Sequence, residues 1–204
     1  MILELVQQRE RVTVEELVDR FGISAVTIRS DLNALAAAGR LLRTHGGGLA
    51  QRDHEEVPIS VKQKLNQEQK VRIAAEAVRL IRDGETIVLD SGTTTEEIAK
   101  QIRGLPLQSL NVITNALNIA VVLAPLPFIN LIMPGGQLRP HSYSLSGPLA
   151  VTALQTLHAD RLFLGVDSLD PDIGLMTPHL LEAQLNAQMM KIAREVVAVA
   201  DAPS

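Results

Sequence analysis

The order of apolar and polar positions over the first fifty residues predicts three short helices followed by a hairpin. A stretch at 2–8 is helical. Thr13-Val-Glu-Glu16 has the form of a capping box, in which the Thr13 hydroxyl accepts from the Glu16 amide while the Glu16 carboxylate reaches back. A helix therefore begins at Val14, gathers Val14, Leu17 and Val18 on one face and stops at Phe21-Gly22, where glycine suits the left-handed C′ position. Ser24 can cap the next helix, in which Ile28, Leu32 and Leu35 recur at four and three and share a face. The opposite face shows Val26, Ser30 and Asn33, flanked by Thr27 and Arg29. Past Ala36-Ala-Ala-Gly39 the text becomes β-like at 41–44, turns through Gly46-Gly-Gly48 and resumes at Leu49. Two helices across a tight turn, a bracing helix and a hairpin make a winged helix-turn-helix, the plan by which a helix enters a major groove.

Residues 51–66 are polar, of mixed charge and contain Pro58, which suits a connection between domains. Next, Val71, Ala74, Ala75, Val78 and Ile81 keep helical spacing up to Gly84. Five apolar runs follow, at 86–90, 111–115, 128–133, 161–167 and 196–201, separated by helical or loop stretches. Such alternation predicts an α/β domain with a mostly parallel sheet. The expected organisation is a reader domain at 1–50, a linker at 51–66 and an α/β domain at 67–204. The membrane-like text at 116–133 is interrupted by Asn118, Pro125, Pro127 and Asn130, so it reads as a buried helix plus a strand.

Composition narrows the function classes. The 204 residues include no cysteine, which removes disulfides, thiolate metal sites and a cysteine nucleophile and suits a reducing cytoplasm. The start has no apolar run of signal-peptide length. Aromatic residues make up 2%, too few for base-stacking platforms, so a nucleic-acid partner is expected to be duplex. The net charge of −4 means that such binding is local. Between Asp31 and Asp53 no acid interrupts Arg40, Arg43 and Arg52, a basic stripe on the wing. The competing reading of this third is a helical interaction module with solvated arginines.

Each strand-like run ends in polar or glycine residues: Asp90-Ser-Gly-Thr-Thr-Thr95, Thr114-Asn115, Pro134-Gly-Gly136, Gly165-Val-Asp167 and Asp201. Ligands of open α/β sheets bind at that carboxyl edge, where loops diverge and helix amino termini point amides into a crevice. In 90–95 the glycine admits close approach, three threonines offer hydroxyl donors and a helix starts nearby, so a phosphate is accommodated without lysine. An ordinary capped strand-to-helix turn has the same text. His141, His158 and His179 lack metal-ligand spacing, and Ser142, Ser144 and Ser146 form no nucleophile elbow and read as a polar loop. Leu181, Leu185, Met189 and Ile192 read as a core stripe. No metal, cofactor or membrane partner is expected.

Val14-Glu-Glu-Leu-Val-Asp-Arg-Phe-Gly-Ile-Ser24, Thr27-Ile-Arg-Ser-Asp-Leu32, Gly39 and His45-Gly-Gly47 resemble the amino-terminal domain of DeoR-type bacterial transcriptional regulators. The resemblance implies operator contacts from Ser24, Val26, Thr27, Arg29, Ser30, Arg43 and His45. Residues 70–201 resemble the family's sugar-phosphate sensor, whose architecture is that of ribose-phosphate isomerases. By that resemblance Asp90, Gly92, Thr93, Thr94 and Thr95 hold a phosphate, while Thr114, Asn115, Gly135, Gly136, Arg139, Asp167 and Glu182 line the rest. Gly165-Val-Asp167 and Thr177-Pro-His-Leu-Leu-Glu-Ala183 look nearest to an amino-sugar branch. Departures are Ser30, where the family carries a second basic residue, and the text around Asp201, where a lysine-bearing segment would follow; the resemblance thus implies a pocket short of one cation and an uncovered sheet edge. The expected protein is a cytoplasmic, homo-oligomeric repressor of a sugar-metabolism operon that responds to a phosphorylated sugar. The alternative is an isomerase-like enzyme with an appended helical module, using Asp90, Asp167 or Glu182 as acid and base.

Overall fold

The computed structural model describes residues 2–9, 11–37, 41–44, 46–50, 59–166, 168–170, 174–177 and 179–200. The chain forms two compact units that divide between residues 57 and 58.

The first unit contains α1 (Ile2–Arg9), β1 (Arg11–Thr13), α2 (Val14–Phe21), α3 (Ala25–Ala37), β2 (Leu41–Thr44) and β3 (Gly47–Ala50). The capping box forms as the sequence predicts: the Thr13 N–H donates to Glu16 Oε2 at 2.8 Å and the Glu16 N–H to Thr13 Oγ1 at 3.1 Å. Gly22 closes α2 at φ 67°. Val14 and Leu17 of α2 and Ile28, Leu32 and Ala36 of α3 meet Leu5 and Val6 of α1 in one buried cluster. A Thr13→Ala variant is expected to lose about 1 kcal/mol, the value of such a cap, measured as a lower melting transition of this unit. The backbone hydrogen bond from Thr13 lowers the Glu16 pKa, with desolvation opposing it and the Thr13 hydroxyl, Arg9 and Arg11 assisting. A carboxylate lowered on folding stabilises above its unfolded pKa and stops doing so as pH falls through the lowered value. Acid titration of the melting temperature should therefore be flatter in Glu16→Gln than in the wild type.

The wing departs from the sequence reading. The residue order predicts the hairpin turn through Gly46-Gly-Gly48, yet β3 already starts at Gly47, and β1, which no local pattern marks, pairs with it antiparallel in the order β1-β3-β2. The cause is crowding: a Cβ on Gly47 would stand 1.9 Å from the Val12 carbonyl oxygen. Glycine is there to let two backbones approach, and not to make a turn.

The second unit begins with α4 (Ile59–Lys62) and α5 (Gln67–Val78) and continues through β4 (Thr86–Leu89), α6 (Thr93–Ile102), β5 (Leu110–Thr114), α7 (Leu117–Leu123) and β6 (Ile129–Ile132). A hairpin of β7 (Gln137–Arg139) and β8 (Ser144–Ser146) precedes α8 (Pro148–Leu154) and β9 (Ala159–Gly165). The pair β10 (Ser168–Asp170) and β11 (Gly174–Met176), then α9 (Leu180–Ile192) and β12 (Ala193–Val199), complete it. Five strands form an all-parallel sheet in the order β12-β9-β4-β5-β6. Alternate residues feed two cores. Ile87, Leu89, Val112 and Phe163 pack with α5, α6 and α7, whereas Val88, Ile113, Leu162 and Leu164 pack with α8 and α9. Burial on both faces explains why these strands read as unbroken apolar runs.

Three expectations need correction here. Ser144 and Ser146 belong to a buried strand and not to a polar loop, because β8 pairs with β7 and bridges to Ala116 beside the end of β5. Part of the expected linker is structured: the Ile59 N–H donates to the His141 carbonyl at 2.8 Å, and the buried Lys70 ammonium caps the far end of α4 at the Lys62 carbonyl, 2.6 Å. In the α9 stripe Leu185 and Met189 are fully buried, but Leu181 stays 40% exposed, since its turn is drawn through Glu182 to Arg139 and not onto the sheet. Among the described residues no helix is long and apolar enough to cross a membrane.

Candidate functional site

In the first unit the candidate surface is the outer side of α3. Ile28 and Leu32 are fully buried, so the helical period turns Val26, Thr27, Arg29 and Ser30 outward, and all four are exposed. The start of the helix is locally fixed: Ser24 Oγ accepts the Thr27 N–H at 3.1 Å and lies 2.9 Å from the Thr27 hydroxyl. Arg29 makes no side-chain hydrogen bond or ion pair among the described residues, which leaves five donors for an external acceptor. Arg43 lies in β2, at a position where only the backbone is described, and His45 lies outside the described residues.

In the second unit the polar ends of adjacent parallel strands converge at the carboxyl edge of the sheet. Leu89 and Thr114 are register partners, so Asp90 follows one strand beside Asn115 on the next. The Asp90 N–H donates to the Phe163 carbonyl at 3.1 Å, and a Cβ on Gly165 would stand 3.3 Å from the Ser91 carbonyl, placing the end of β9 against the same turn. The Leu145 N–H donates to the Asn115 carbonyl at 2.7 Å and Asn115 Nδ2 donates to the Leu145 carbonyl at 3.3 Å, which pins the β7–β8 hairpin onto this edge. Gly136 lies against Ser146, its Cβ position 2.6 Å from that carbonyl, with Gly135 preceding it. Asp167 lies outside the described residues.

The three threonines are not equivalent donors as the sequence suggested. Thr95 is fully buried and its hydroxyl donates back to the Gly92 carbonyl at 3.0 Å, a brace across the first turn of α6. Thr114, also fully buried, accepts the Ala116 N–H at 3.2 Å. Thr93 and the glycine before it are half-buried, and the first-turn amides of α6 have no carbonyl within the helix to bond. Arg139 and Glu182, named separately as lining residues, form a largely buried ion pair at 2.5 Å. Among the described residues, Asn115 Oδ1 and Ser146 Oγ are buried at this same edge without a hydrogen-bond partner. Orphaned buried acceptors and donors are uncommon and mark places where another polar group is received.

Sequence reasoning missed Glu96. Its buried carboxylate accepts from Gln63 Nε2 at 2.8 Å and Asn118 Nδ2 at 2.7 Å, tying the residue after α4 and helix α7 to the turn that follows the threonines. Lys100 stands 3.3 Å away. Partial burial opposes the Lys100 charge, but Glu97 and Glu96 more than offset it and raise its pKa above the ordinary lysine value. The i,i+4 spacing of Glu96 and Lys100 was legible; a partner 33 residues earlier was not. Among the described residues no group of three His, Cys, Asp or Glu side chains could hold a metal ion.

Gly92 sets the geometry of this turn with φ 151° and ψ 168°, a region essentially confined to glycine. Gly92→Ala is expected to cost about 1–3 kcal/mol in the second unit. A melting curve matching the wild type would contradict this.

Comparison with known proteins decides the family. A model of the DeoR-like helix-turn-helix domain matches residues 1–53, and a model of the DeoR C terminal sensor domain matches residues 65–203. The chain belongs to the DeoR family of transcriptional regulators. It is a DNA-binding regulator with an effector-sensing domain, and DeoR regulators are not enzymes, so the isomerase alternative falls. A protein of Escherichia coli O157:H7 named for repression of the aga operon is 38% identical over 98% of this chain and 75% of its own length. The glycerol-3-phosphate regulon repressor of Escherichia coli K12 is 32% identical over 98% of this regulator and 79% of its own chain. A solved ribose 5-phosphate isomerase from Methanocaldococcus jannaschii is 21% identical, with a TM-score of 0.47 over 65% of this chain and about half, 52%, of that one.

Proposed function

We propose that this DeoR-family regulator is a cytoplasmic repressor of an operon for sugar metabolism, bound to its operator as a homo-oligomer and controlled by a phosphorylated sugar. Ser24, Val26, Thr27, Arg29 and Ser30 face the major groove, and Arg43 and His45 serve the wing. The observation that carries the reading is the sidedness of α3, with Ile28 and Leu32 fully buried and Val26, Thr27, Arg29 and Ser30 exposed.

The effector binds at the carboxyl edge. Gly92, Thr93 and Thr94 with the amino terminus of α6 receive the phosphate, Asp90 faces sugar hydroxyls, and Thr95 and Thr114 hold the turn. Asn115, Gly135, Gly136, Arg139, Asp167 and Glu182 surround the sugar; the orphaned Asn115 and Ser146 atoms support this side of the reading. An amino-sugar phosphate is the effector class, a reading that rests on the resemblance of Gly165-Val-Asp167 and Thr177-Pro-His-Leu-Leu-Glu-Ala183 to an amino-sugar branch. For an effector to release DNA it must bind the two arrangements of the protein unequally. Within the sensor unit, Gln63 donates to Glu96 and the Ile59 N–H donates to the His141 carbonyl, so the segment that opens the unit is fastened to the effector edge.

The test is a mobility shift on the promoter region beside the regulator's own gene, repeated with hexose 6-phosphates and aminohexose 6-phosphates. A sequence-specific complex is expected, weakened about five- to 150-fold by one of these phosphates, the range of typical coupling energies. A complex indifferent to all of them would sink the effector half of the proposal.

A further inference from the structure

Val26 is the most exposed large apolar side chain among the described residues of the first unit. It is the second residue of the helix and is 75% exposed. A β-branched side chain is a weak helix former, and an exposed isopropyl group contributes no burial, so local propensity and solvation both disfavour valine at this position. Where a residue breaks local rules on a functional surface, the surface is what it serves. Its helical neighbours on that side are Thr27, Arg29 and Ser30, all exposed, and the Thr27 hydroxyl is held by Ser24 at 2.9 Å. The exposed large apolar side chains described in this unit are Val26 and Ile23, the latter 38% exposed, too few for the contiguous apolar patch that a protein partner would need.

The inference rests on the reading that α3 enters the major groove. Seen from that groove, the base edges of duplex DNA offer hydrogen-bond donors and acceptors and a single apolar group, the 5-methyl of thymine. Against guanine, adenine or cytosine an isopropyl group would strip water from polar edges and return no hydrogen bond. The first turn of a recognition helix is the part that reaches base edges, and Val26 stands in it. We propose that Val26 is a specificity-determining residue that reads the 5-methyl group of one thymine in each operator half-site. Arg29 and Ser30 make the polar contacts around it, and Val26 makes the apolar one.

The test needs no knowledge of the effector. Duplexes bound by the full chain are selected from a randomised pool, and each thymine of the selected site is then replaced by uracil, which removes only the methyl group. One thymine per half-site is expected at which uracil weakens wild-type binding about three- to fivefold, the worth of one buried methyl. Val26→Ala should bind thymine and uracil duplexes equally; alanine at an exposed helical position raises helix propensity, and an unchanged far-UV spectrum verifies folding. At the same position 5-methylcytosine should bind the wild type more tightly than cytosine, and this preference should vanish in Val26→Ala. Absence of any uracil-sensitive thymine, or a uracil penalty that persists in Val26→Ala, overturns the proposal while leaving DNA binding by α3 in place. Failure to select any duplex overturns the DNA reading and this inference with it.

Discussion

Alanine at position 47 is expected to unfold the amino-terminal unit and abolish operator binding while the sensor unit melts as before. The added Cβ would stand 1.9 Å from the Val12 carbonyl oxygen and 2.8 Å from Thr13 Cα. Both obstacles are backbone, so no rotamer change relieves them, and β1 must leave β3 for the residue to fit. The pairing at risk is the whole ladder from Arg11↔Leu49 to Thr13↔Gly47, and Thr13 also caps α2. Overpacking of this kind costs about 3 kcal/mol at the upper end of its usual range. A domain of some fifty residues has a small core and little stability to lose, and the ratio of folded to unfolded unit should fall about a hundredfold. Calorimetry of the intact chain checks this: the transition of the first unit should drop or vanish, that of the second should stay. Two unchanged transitions would mean that β1 and β3 do not approach as closely as described.

Arg29→Ala should weaken operator binding about ten- to a hundredfold per half-site, the worth of an arginine contact to a base edge or phosphate, with no change in folding. Arg29 is exposed and outside the buried cluster of α1, α2 and α3, so its truncation touches no core contact. The salt dependence separates the two kinds of contact. Loss of a phosphate contact lowers the slope of log affinity against log salt by about one, whereas loss of a guanine contact leaves the slope and relaxes sequence preference. Effector binding, seated in the other unit, should be unaltered. An operator affinity equal to that of the wild type would remove α3 from the interface.

Much of the architecture was legible in the residue order because its causes are local. The Thr13–Glu16 box spans three residues, Gly22 ends a helix by its own backbone freedom, and Ile28 and Leu32 share a face by helical geometry alone. The parallel strands declared themselves because both of their faces are buried. Legibility fell where the cause was distant. The glycines of the wing look like a turn until β1 is seen lying across Gly47. The serines at 144 and 146 look like a loop until β8 is seen paired with β7 and Ser144 bridged to Ala116, just past β5.

At the candidate effector edge, sequence sufficed to collect residues but not to assign their parts. Thr93, Thr94 and Thr95 are the same residue type in succession, and only the fold buries the third and turns its hydroxyl onto Gly92. Arg139 and Glu182 stand 43 positions apart, and Glu96 and Gln63 stand 33 apart, yet each pair meets through a charged or amide hydrogen bond. By itself the order of residues determined the helix-turn-helix, the parallel sheet and the polar character of its carboxyl edge, since periodicity and capping act within a few residues of the chain. Which of those polar groups stay open and which hold one another was decided by the tertiary structure, because a hydrogen bond depends on distance in space, and the sheet order brings together groups that the chain keeps far apart.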